Sequence, residues 1–161
     1  MSFALIDRIV ALKPGSSITA VKSPSLSEEY LQDHFPQFPV MPGVLMLEAM
    51  YQAAAWLLRV TDDFSHSVVV LKEARNVRYS GFVRPGEMLS VSAEILKRDE
   101  GQATLKATGQ IGDRKVVSAR LVLAQRNLAD DNPEHAKFDG LLVKRQKRNL
   151  SMLYSDMEVR N

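Results

Sequence analysis

Apolar and polar side chains alternate through the central part of the chain, the pattern of strands that have one buried and one solvent-facing side. The alternation is clearest where Val91, Ala93 and Ile95 interleave with polar residues. Turn signals rich in Gly and acidic residues separate this run from its neighbours. The runs predicted as strands are Ser17 to Lys22, Val68 to Lys72, Arg75 to Ser80, Leu89 to Lys97, Ala103 to Ile111 and Val116 to Ala124.

A second pattern, apolar at nearly every position, spans Val44 to Leu58 and predicts one long helix. Pro42 fits the first position of this helix, which we expect to run to about Val60. A helix without a polar face is usually buried on all sides or lies at an oligomer interface. A short polar helix is also predicted over Ser25 to Asp33. A long buried helix with an antiparallel sheet able to wrap it indicates an α+β fold.

Composition narrows the class of protein. The chain has 161 residues, of which 45% are hydrophobic and 25% charged, as expected for one globular domain. It has no Cys, which excludes disulfide scaffolds, Cys-based zinc sites and a thiol nucleophile. The net charge of +2 is too even for a dedicated nucleic-acid binder. A three-histidine metal site would need all three histidines, so we expect neither a metal nor another cofactor.

No window of about 18 apolar residues and no basic leader is found, so we expect a cytoplasmic protein without a membrane span.

The composition of the sequence changes after Ala124. The segment from Arg126 to Asn161 holds seven basic and six acidic residues, and we expect a charged tail with a short helix from Asn149 to Met157. A cluster of like charges is usually a solvated surface, and the alternative is an acidic partner. The cluster consists of Lys144, Arg145, Lys147 and Arg148.

Candidate chemistry lies around the long helix. From His34 to Leu58 the only formally charged side chain is Glu48. A buried carboxyl group either finds a partner or keeps its proton, and a protonated one can act as a general acid. The alternative is a structural Glu at an exposed end of the helix. His34 opens a loop stiffened by three prolines and is a candidate base, or else a structural histidine. The helix N-terminus offers unsatisfied N–H groups near Gly43 and Val44 that could polarise a carbonyl.

The loop and helix start together carry the sequence His34-Phe35-Pro36-Gln37-Phe38-Pro39-Val40-Met41-Pro42-Gly43-Val44-Leu45, followed by Glu48-Ala49 and Gln52. This sequence closely resembles the signature of the β-hydroxyacyl-ACP dehydratases of the FabZ type. A later run, Val83-Arg84-Pro85-Gly86-Glu87, is similar to that family's second landmark, a Pro-Gly-acid turn that enters a strand. The resemblance covers about Phe3 to Gln125. It divides the chain into a dehydratase-like domain, residues 1–125, and a charged extension, residues 126–161.

The resemblance implies a hotdog fold, a homodimer and, in many relatives, a trimer of dimers. It implies that His34 removes the C2 proton of a (3R)-hydroxyacyl thioester and that Glu48 protonates the leaving C3 hydroxyl. A backbone N–H at Gly43 would hold the thioester carbonyl, and Gln52 would orient the acid. Phe35 and Phe38 would line an acyl tunnel, with core packing as their default interpretation.

The implied partner is an acidic acyl carrier protein. Docking candidates are the tail cluster together with Arg75, Arg78, Arg84, Lys97 and Arg98. Three departures from the family pattern bear on activity: Asp33 and Gln37 stand where Gly is usual, and Ser80-Gly81-Phe82 replaces a basic run. Two other functions stay open: a hotdog acyl thioesterase, and a non-catalytic acyl-carrier-binding subunit of a synthase.

Overall fold

The computed structural model describes residues 4–25, 27, 28, 30, 31 and 39–154, and forms one six-stranded antiparallel sheet from them. The strands are β1 Arg8–Lys13, β2 Ser17–Lys22, β3 Val68–Tyr79, β4 Leu89–Asp99, β5 Gln102–Ile111 and β6 Arg114–Arg126. Their order across the sheet is β1-β2-β4-β5-β6-β3. The two long helices are α1 Gly43–Thr61 and α2 Ala136–Leu153.

Helix α1 lies across the sheet and contacts every strand from β2 to β6. Its continuous buried segment runs from Ala53 to Leu58, which pack into the main core with the inward side chains of the strands. In β4 the inward residues Leu89, Val91 and Ala93 are at most 1% exposed, which confirms the predicted alternation. This helix wrapped by an antiparallel sheet is the expected α+β hotdog fold.

The first turns of α1 differ from the expectation of burial on all sides. Val44 is 66% exposed, and Leu45, Leu47 and Glu48 are only partly buried. The sheet covers the far end of the helix more completely than its start. Pro42 stands at the N-cap, with ψ 141°, one position before the predicted one. A small boundary shift of this kind is usual at helix ends.

Strand β3 is one continuous element where two strands, Val68 to Lys72 and Arg75 to Ser80, were predicted. Its pairing with β6 shifts register between Leu71 and Glu73 and again between Arg75 and Arg78. Asn76 has φ 53°, a left-handed conformation that Asn tolerates better than most residues. These irregularities interrupt the alternation along the sequence while leaving the strand intact.

The sequence pattern did not reveal β1, because in this edge strand only Ile9 is fully buried. The extent of the helix predicted in the C-terminal tail was also wrong. Helix α2 begins at Ala136, well before the predicted start at Asn149. Its first turn is anchored by Asp139, which accepts hydrogen bonds from the Ser67 hydroxyl and from the backbone N–H of Leu128. The tail cluster lies on α2, and all four of its basic side chains are exposed.

Of the other predicted helix, Ser25 to Asp33, the structure describes residues 25, 27, 28, 30 and 31. Tyr30 and Leu31 are helical, whereas Ser25, Ser27 and Glu28 are not. In the part of the chain that the structure describes, no helix is long and apolar enough to cross a membrane.

Candidate active site

Among the described residues, no side chain caps the N-terminus of α1. Pro42 provides no side-chain cap, and the first turn contains no acidic residue. The N–H of Leu45 donates to the Pro42 carbonyl, whereas the N–H groups of Gly43 and Val44 find no acceptor among the described residues. Such groups point out of the helix end and favour a negatively charged or carbonyl oxygen.

Gly43 allows a close approach of Tyr79 at this point. A Cβ at this position would lie 3.0 Å from Cε1 of Tyr79, the last residue of β3. The Tyr79 ring therefore packs directly against the helix start, beside the two unsatisfied N–H groups. Burial raises the pKa of the Tyr79 phenol, so this ring is neutral at physiological pH.

The fold brings the two sequence motifs together. The Met41 N–H, at the exit of the proline loop, donates to the Val83 carbonyl at 2.8 Å. Val83 leads into a tight turn that Glu87 closes by accepting from the Arg84 N–H at 2.8 Å. Gly86 in this turn has φ +88°, a conformation that favours glycine. The turn then enters β4, which confirms the predicted Pro-Gly-acid turn before a strand.

Glu48 lies in the second turn of α1 and is partly buried. The Gln52 side chain, one turn further along, donates to Glu48 Oε1 at 3.3 Å. The oxygen of the same amide accepts the Leu5 N–H at 2.8 Å. Gln52 is therefore held from the N-terminal segment and oriented so that its NH₂ group faces the carboxyl group. Val44, Glu48 and Gln52 recur at every fourth position, so they share one face of the helix.

A groove of about 360 Å³ continues along that face from Gln52 to Arg59. One side of it is α1. The others are the N-terminal segment at Ala4 and Ile6 and the last turn of α2. The site thus has an acidic group near the helix start and an elongated, largely apolar space beyond it.

Several predicted site residues lie outside the described residues, namely His34, Phe35 and Phe38, together with Asp33 and Gln37. The structure brings together Gly43, Val44, Glu48 and Gln52 on the first turns of α1. The base and the proposed tunnel aromatics stay predictions.

The segment that leads toward the His34 loop is braced by a buried lysine. Lys22 is 6% exposed and its ammonium group donates to Glu28 at 2.6 Å and to Asp7 at 3.4 Å. Burial alone would lower the pKa of Lys22, but these two carboxylates outweigh it and raise the pKa. Glu28 also accepts from the Tyr30 hydroxyl at 2.7 Å. This network ties the chain just before the loop to strand β2.

Of the basic residues suggested for carrier docking, Arg98 has a structural role. Its guanidinium makes two hydrogen bonds of 2.8 Å to the Asp62 carboxylate and another to Gln125. Arg75 pairs with Glu73 at 2.8 Å on the exposed side of β3. The departure at Ser80 to Phe82 lies in the connection after β3, where the Ser80 hydroxyl donates to the Lys115 carbonyl and Phe82 is 54% exposed.

Sequence reasoning missed three contributors: the Leu5 backbone, the Tyr79 ring and Arg59. Each reaches the site from a distant part of the chain or through a packing contact. Only the position of Arg59, eleven residues after Glu48 on the same helix face, could have suggested it. Among the described residues, no group of three His, Asp or Glu side chains could hold a metal ion.

Comparison with known proteins identifies the family of the chain. The model of the FabA-like domain matches residues 1–120. FabZ 3-hydroxyacyl-[acyl-carrier-protein] dehydratase from Levilactobacillus brevis is 38% identical over 116 residues, 72% of this chain and 78% of that protein. Its counterpart from Albidiferax ferrireducens is 40% identical over 131 residues, 79% of this chain and 87% of that protein.

Solved structures show the same fold at low sequence identity. A chain of the dehydratase heterocomplex ApeI:P from Xenorhabdus doucetiae gives a TM-score of 0.62 at 18% identity, over 78% of this chain and 85% of that one. The smu.793 protein of Streptococcus mutans, solved with acetyl CoA, gives 0.61 at 12% identity, over 79% and 93%. Because the FabA-like domain covers residues 1–120, the chain belongs to the FabA-like family of hotdog proteins. The two relatives that are 38% and 40% identical to it are FabZ dehydratases.

Proposed function

We propose that this protein removes water from (3R)-hydroxyacyl-ACP to give trans-2-enoyl-ACP in fatty acid or related acyl chain synthesis. Family membership and the FabZ relatives at 33–40% identity support the reaction. The observation that carries it is the Glu48 carboxyl group held by Gln52 in the second turn after an uncapped helix start. This arrangement supports the action of a proton donor and of carbonyl-polarising N–H groups from one short stretch of helix.

The N–H groups at Gly43 and Val44 would hold the thioester carbonyl oxygen. Negative charge grows on that oxygen when the C2 proton leaves, so donors already fixed in place lower the barrier. In this mechanism His34 takes the C2 proton and Glu48 gives its proton to the C3 hydroxyl, which departs as water. The electron pair of the C2–H bond forms the new C2–C3 double bond. Exchange with solvent then returns His34 to its neutral form and reprotonates Glu48.

The test follows both products of a 3-hydroxyacyl-ACP assay, the enoyl thioester and free thiol. We expect enoyl product from the natural protein and a loss of at least about a hundredfold in kcat for Glu48→Gln and His34→Ala. Glu94→Gln, an exposed carboxylate on β4, is the matched control and should keep full activity. Free thiol without enoyl product would favour the thioesterase. Carrier binding without either product would favour the non-catalytic subunit. Both outcomes contradict the proposal.

We also propose a homodimer joined through β3, and its further assembly into a trimer of dimers. Strand β3 is at one edge of the sheet, 12 residues long, and pairs only with β6 among the described strands. Its exposed apolar side chains include Val70, 41% exposed, and Tyr79, 48% exposed. An open edge of this length readily pairs with a second copy. The partner is acyl carrier protein, and the place of action is the cytoplasm.

A further inference from the structure

The groove between α1, the N-terminal segment and α2 contains a cation that has no anionic partner among the described residues. Arg59 lines it, and no carboxylate or carbonyl of the described residues hydrogen-bonds to or ion-pairs with its guanidinium. Its Nε atom is buried without an acceptor. The guanidinium instead lies over the Trp56 ring, with Cζ 4.8 Å from the ring centroid. Stacking on an aromatic ring holds the charge in place and leaves its hydrogen-bond donors available.

Removing the Arg59 cation from water costs free energy unless another group compensates for it. Burial lowers the pKa of Arg59, although the Tyr51 phenol partly opposes the shift, and the group stays cationic at neutral pH. Arg59 is partly buried, and a cation that loses water without gaining a counter-charge is uncommon in proteins because its desolvation is not compensated. The site is therefore complementary to an anion. A planar carboxylate can accept two parallel hydrogen bonds from the guanidinium.

The rest of the groove is suited to an apolar chain. Its walls include Ile6, Ala55 and Trp56, and the last turn of α2 adds Met152 and Leu153. Met152 is 77% exposed on this helix, so its side chain is accessible to a ligand in the groove. From Gln52 to Arg59 the helix rises about 10 Å. The groove thus runs from the Glu48–Gln52 pair at one end to a cation at the other.

We propose that this groove binds an apolar chain that ends in a carboxylate, with the carboxylate on Arg59 and the chain between Trp56 and Met152. The same chemistry is presented by a free fatty acid and by the far end of an acyl thioester that carries an ω-carboxyl group. The second source rests on the proposed dehydratase function, whereas binding of the carboxylate does not. The inference also gives the C-terminal extension a role, since α2 forms one wall of the site.

The binding test uses calorimetric titration of the full chain with decanoate and with decanol, its neutral counterpart. We expect decanoate to bind at least about tenfold more tightly than decanol, because only the carboxylate can pair with Arg59. Arg59→Met should abolish that preference, and Arg59→Lys should keep part of it. Arg145→Gln, which removes an exposed charge from α2, is the matched control and should bind as the natural protein does.

A second variant measures the contribution of the apolar ligand chain separately from that of its carboxylate. Met152→Ala should weaken the binding of decanoate and of decanol by the same factor, since Met152 would contact only the apolar chain of the ligand. Because Met152 is exposed, we expect this variant to fold. Melting curves of every variant show that each is folded. The inference is wrong if decanoate does not bind, if decanol binds equally well, or if folded Arg59→Met retains the preference.

Steady-state kinetics identify which molecule supplies the carboxylate, the acyl substrate or a free fatty acid. A lower KM for an ω-carboxy-3-hydroxyacyl-ACP than for its methyl-ended equivalent, lost in Arg59→Met, assigns the site to the substrate chain. Decanoate binding with no such difference in KM assigns it to free fatty acid. A protein that binds decanoate through Arg59 but forms no enoyl product contradicts the proposed function alone, so the two failures are distinguishable.

Discussion

At the scale of single residues, Gln52 connects the N-terminal segment to the proposed acid. Its amide accepts the Leu5 N–H and donates to Glu48. Gln52→Leu keeps the size and removes both hydrogen bonds, so Glu48 should lose its fixed orientation. We expect kcat to fall by about 10- to 100-fold with KM changed less than about threefold, because misplacing a reacting group acts on the chemical step. Steady-state kinetics measure this separation of kcat from KM.

Gln52→Glu separates the two roles of Gln52, which orients the Glu48 carboxyl group and is anchored by the Leu5 N–H. A carboxylate at position 52 can still accept from Leu5 but cannot donate to Glu48, so kcat should fall here as well. Gln110→Leu, an exposed amide on β5, is the control and should leave both constants unchanged. Full kcat in folded Gln52→Leu would remove Gln52 from the site.

Asp62 is the residue whose charge should matter most for stability. It caps α1, and its carboxylate accepts two hydrogen bonds from Arg98 and one from Gln125, at 2.8, 2.8 and 2.9 Å. The Arg98 hydrogen bonds hold the pKa of Asp62 below its usual value. Asp62→Asn should therefore lower the free energy of unfolding at pH 7 by about 1–2 kcal/mol, measured by urea denaturation.

The pH dependence of this effect has a definite sign. A carboxyl group with a lowered folded-state pKa stabilises the protein above its unfolded pKa, near ~3.9, and this contribution is lost as pH falls through the folded value. The difference between natural protein and Asp62→Asn should shrink accordingly in acid. Asp99→Asn is the control, since its ion pair with Lys97 is exposed and 3.7 Å long, and it should change stability by less than about 0.5 kcal/mol. A pH-independent difference would contradict this role of the charge.

The candidate site could be found from sequence where a residue was unusual for its local pattern. Glu48 is the one charge within an apolar helix, and Gly43 follows a proline at the predicted helix start. Arg59 is different: at the end of the same helix it is an ordinary boundary charge in the sequence. Its importance depends on Trp56 beneath it and on Met152 from a helix far along the chain. Such a juxtaposition follows from tertiary packing, which no local pattern encodes.

At the scale of elements, two glycines should respond in opposite directions to the same substitution. Gly109 in β5 has no room for a side chain, since a Cβ there would lie 2.6 Å from Cγ1 of Val117 and 3.2 Å from Cδ1 of Leu89. Gly109→Ala should destabilise the protein by about 1–3 kcal/mol through overpacking. Gly140 lies in exposed α2 with nothing within 4 Å of a Cβ. Gly140→Ala should stabilise it by about 0.5–1 kcal/mol through helix propensity.

Urea denaturation of both variants measures the two effects, and each variant is the control for the other. Equal destabilisation by both substitutions would mean that the packing around Gly109 is not the cause.

The elements themselves were predictable to the extent that each carries its own pattern. Strands β2, β4 and β5 agree closely with their predicted ranges because each has a regular buried side. Edge strand β1 and the irregular β3 do not, since burial is sparse in the first and register shifts interrupt the second. Helix α2 was underestimated for another reason. Its residues are mostly exposed, and contacts from Asp139 and Gln146 to Ser67 hold it against the fold.

At the scale of the whole molecule, the proposed dimer should depend on the open edge of β3. The sheet ends there, and Tyr51 of α1 reaches this strand by donating to the Val69 carbonyl. A second copy of β3 would extend the sheet and bring the start of α1 close to the partner. Val44 at the start of α1 is 66% exposed and would be available for such a contact.

Val70→Glu tests this assembly, because it replaces an apolar side chain at the edge by a carboxylate that would repel its equivalent across a two-fold axis. We expect sedimentation velocity to show a dimer or larger assembly for the natural protein and at least a tenfold weaker association for the variant. Leu96→Glu is the matched control: Leu96 is 44% exposed, close to the 41% of Val70, but lies on the inner strand β4. If both variants associate as tightly as the natural protein, β3 is not the interface. If both dissociate alike, the effect belongs to added charge and not to the edge.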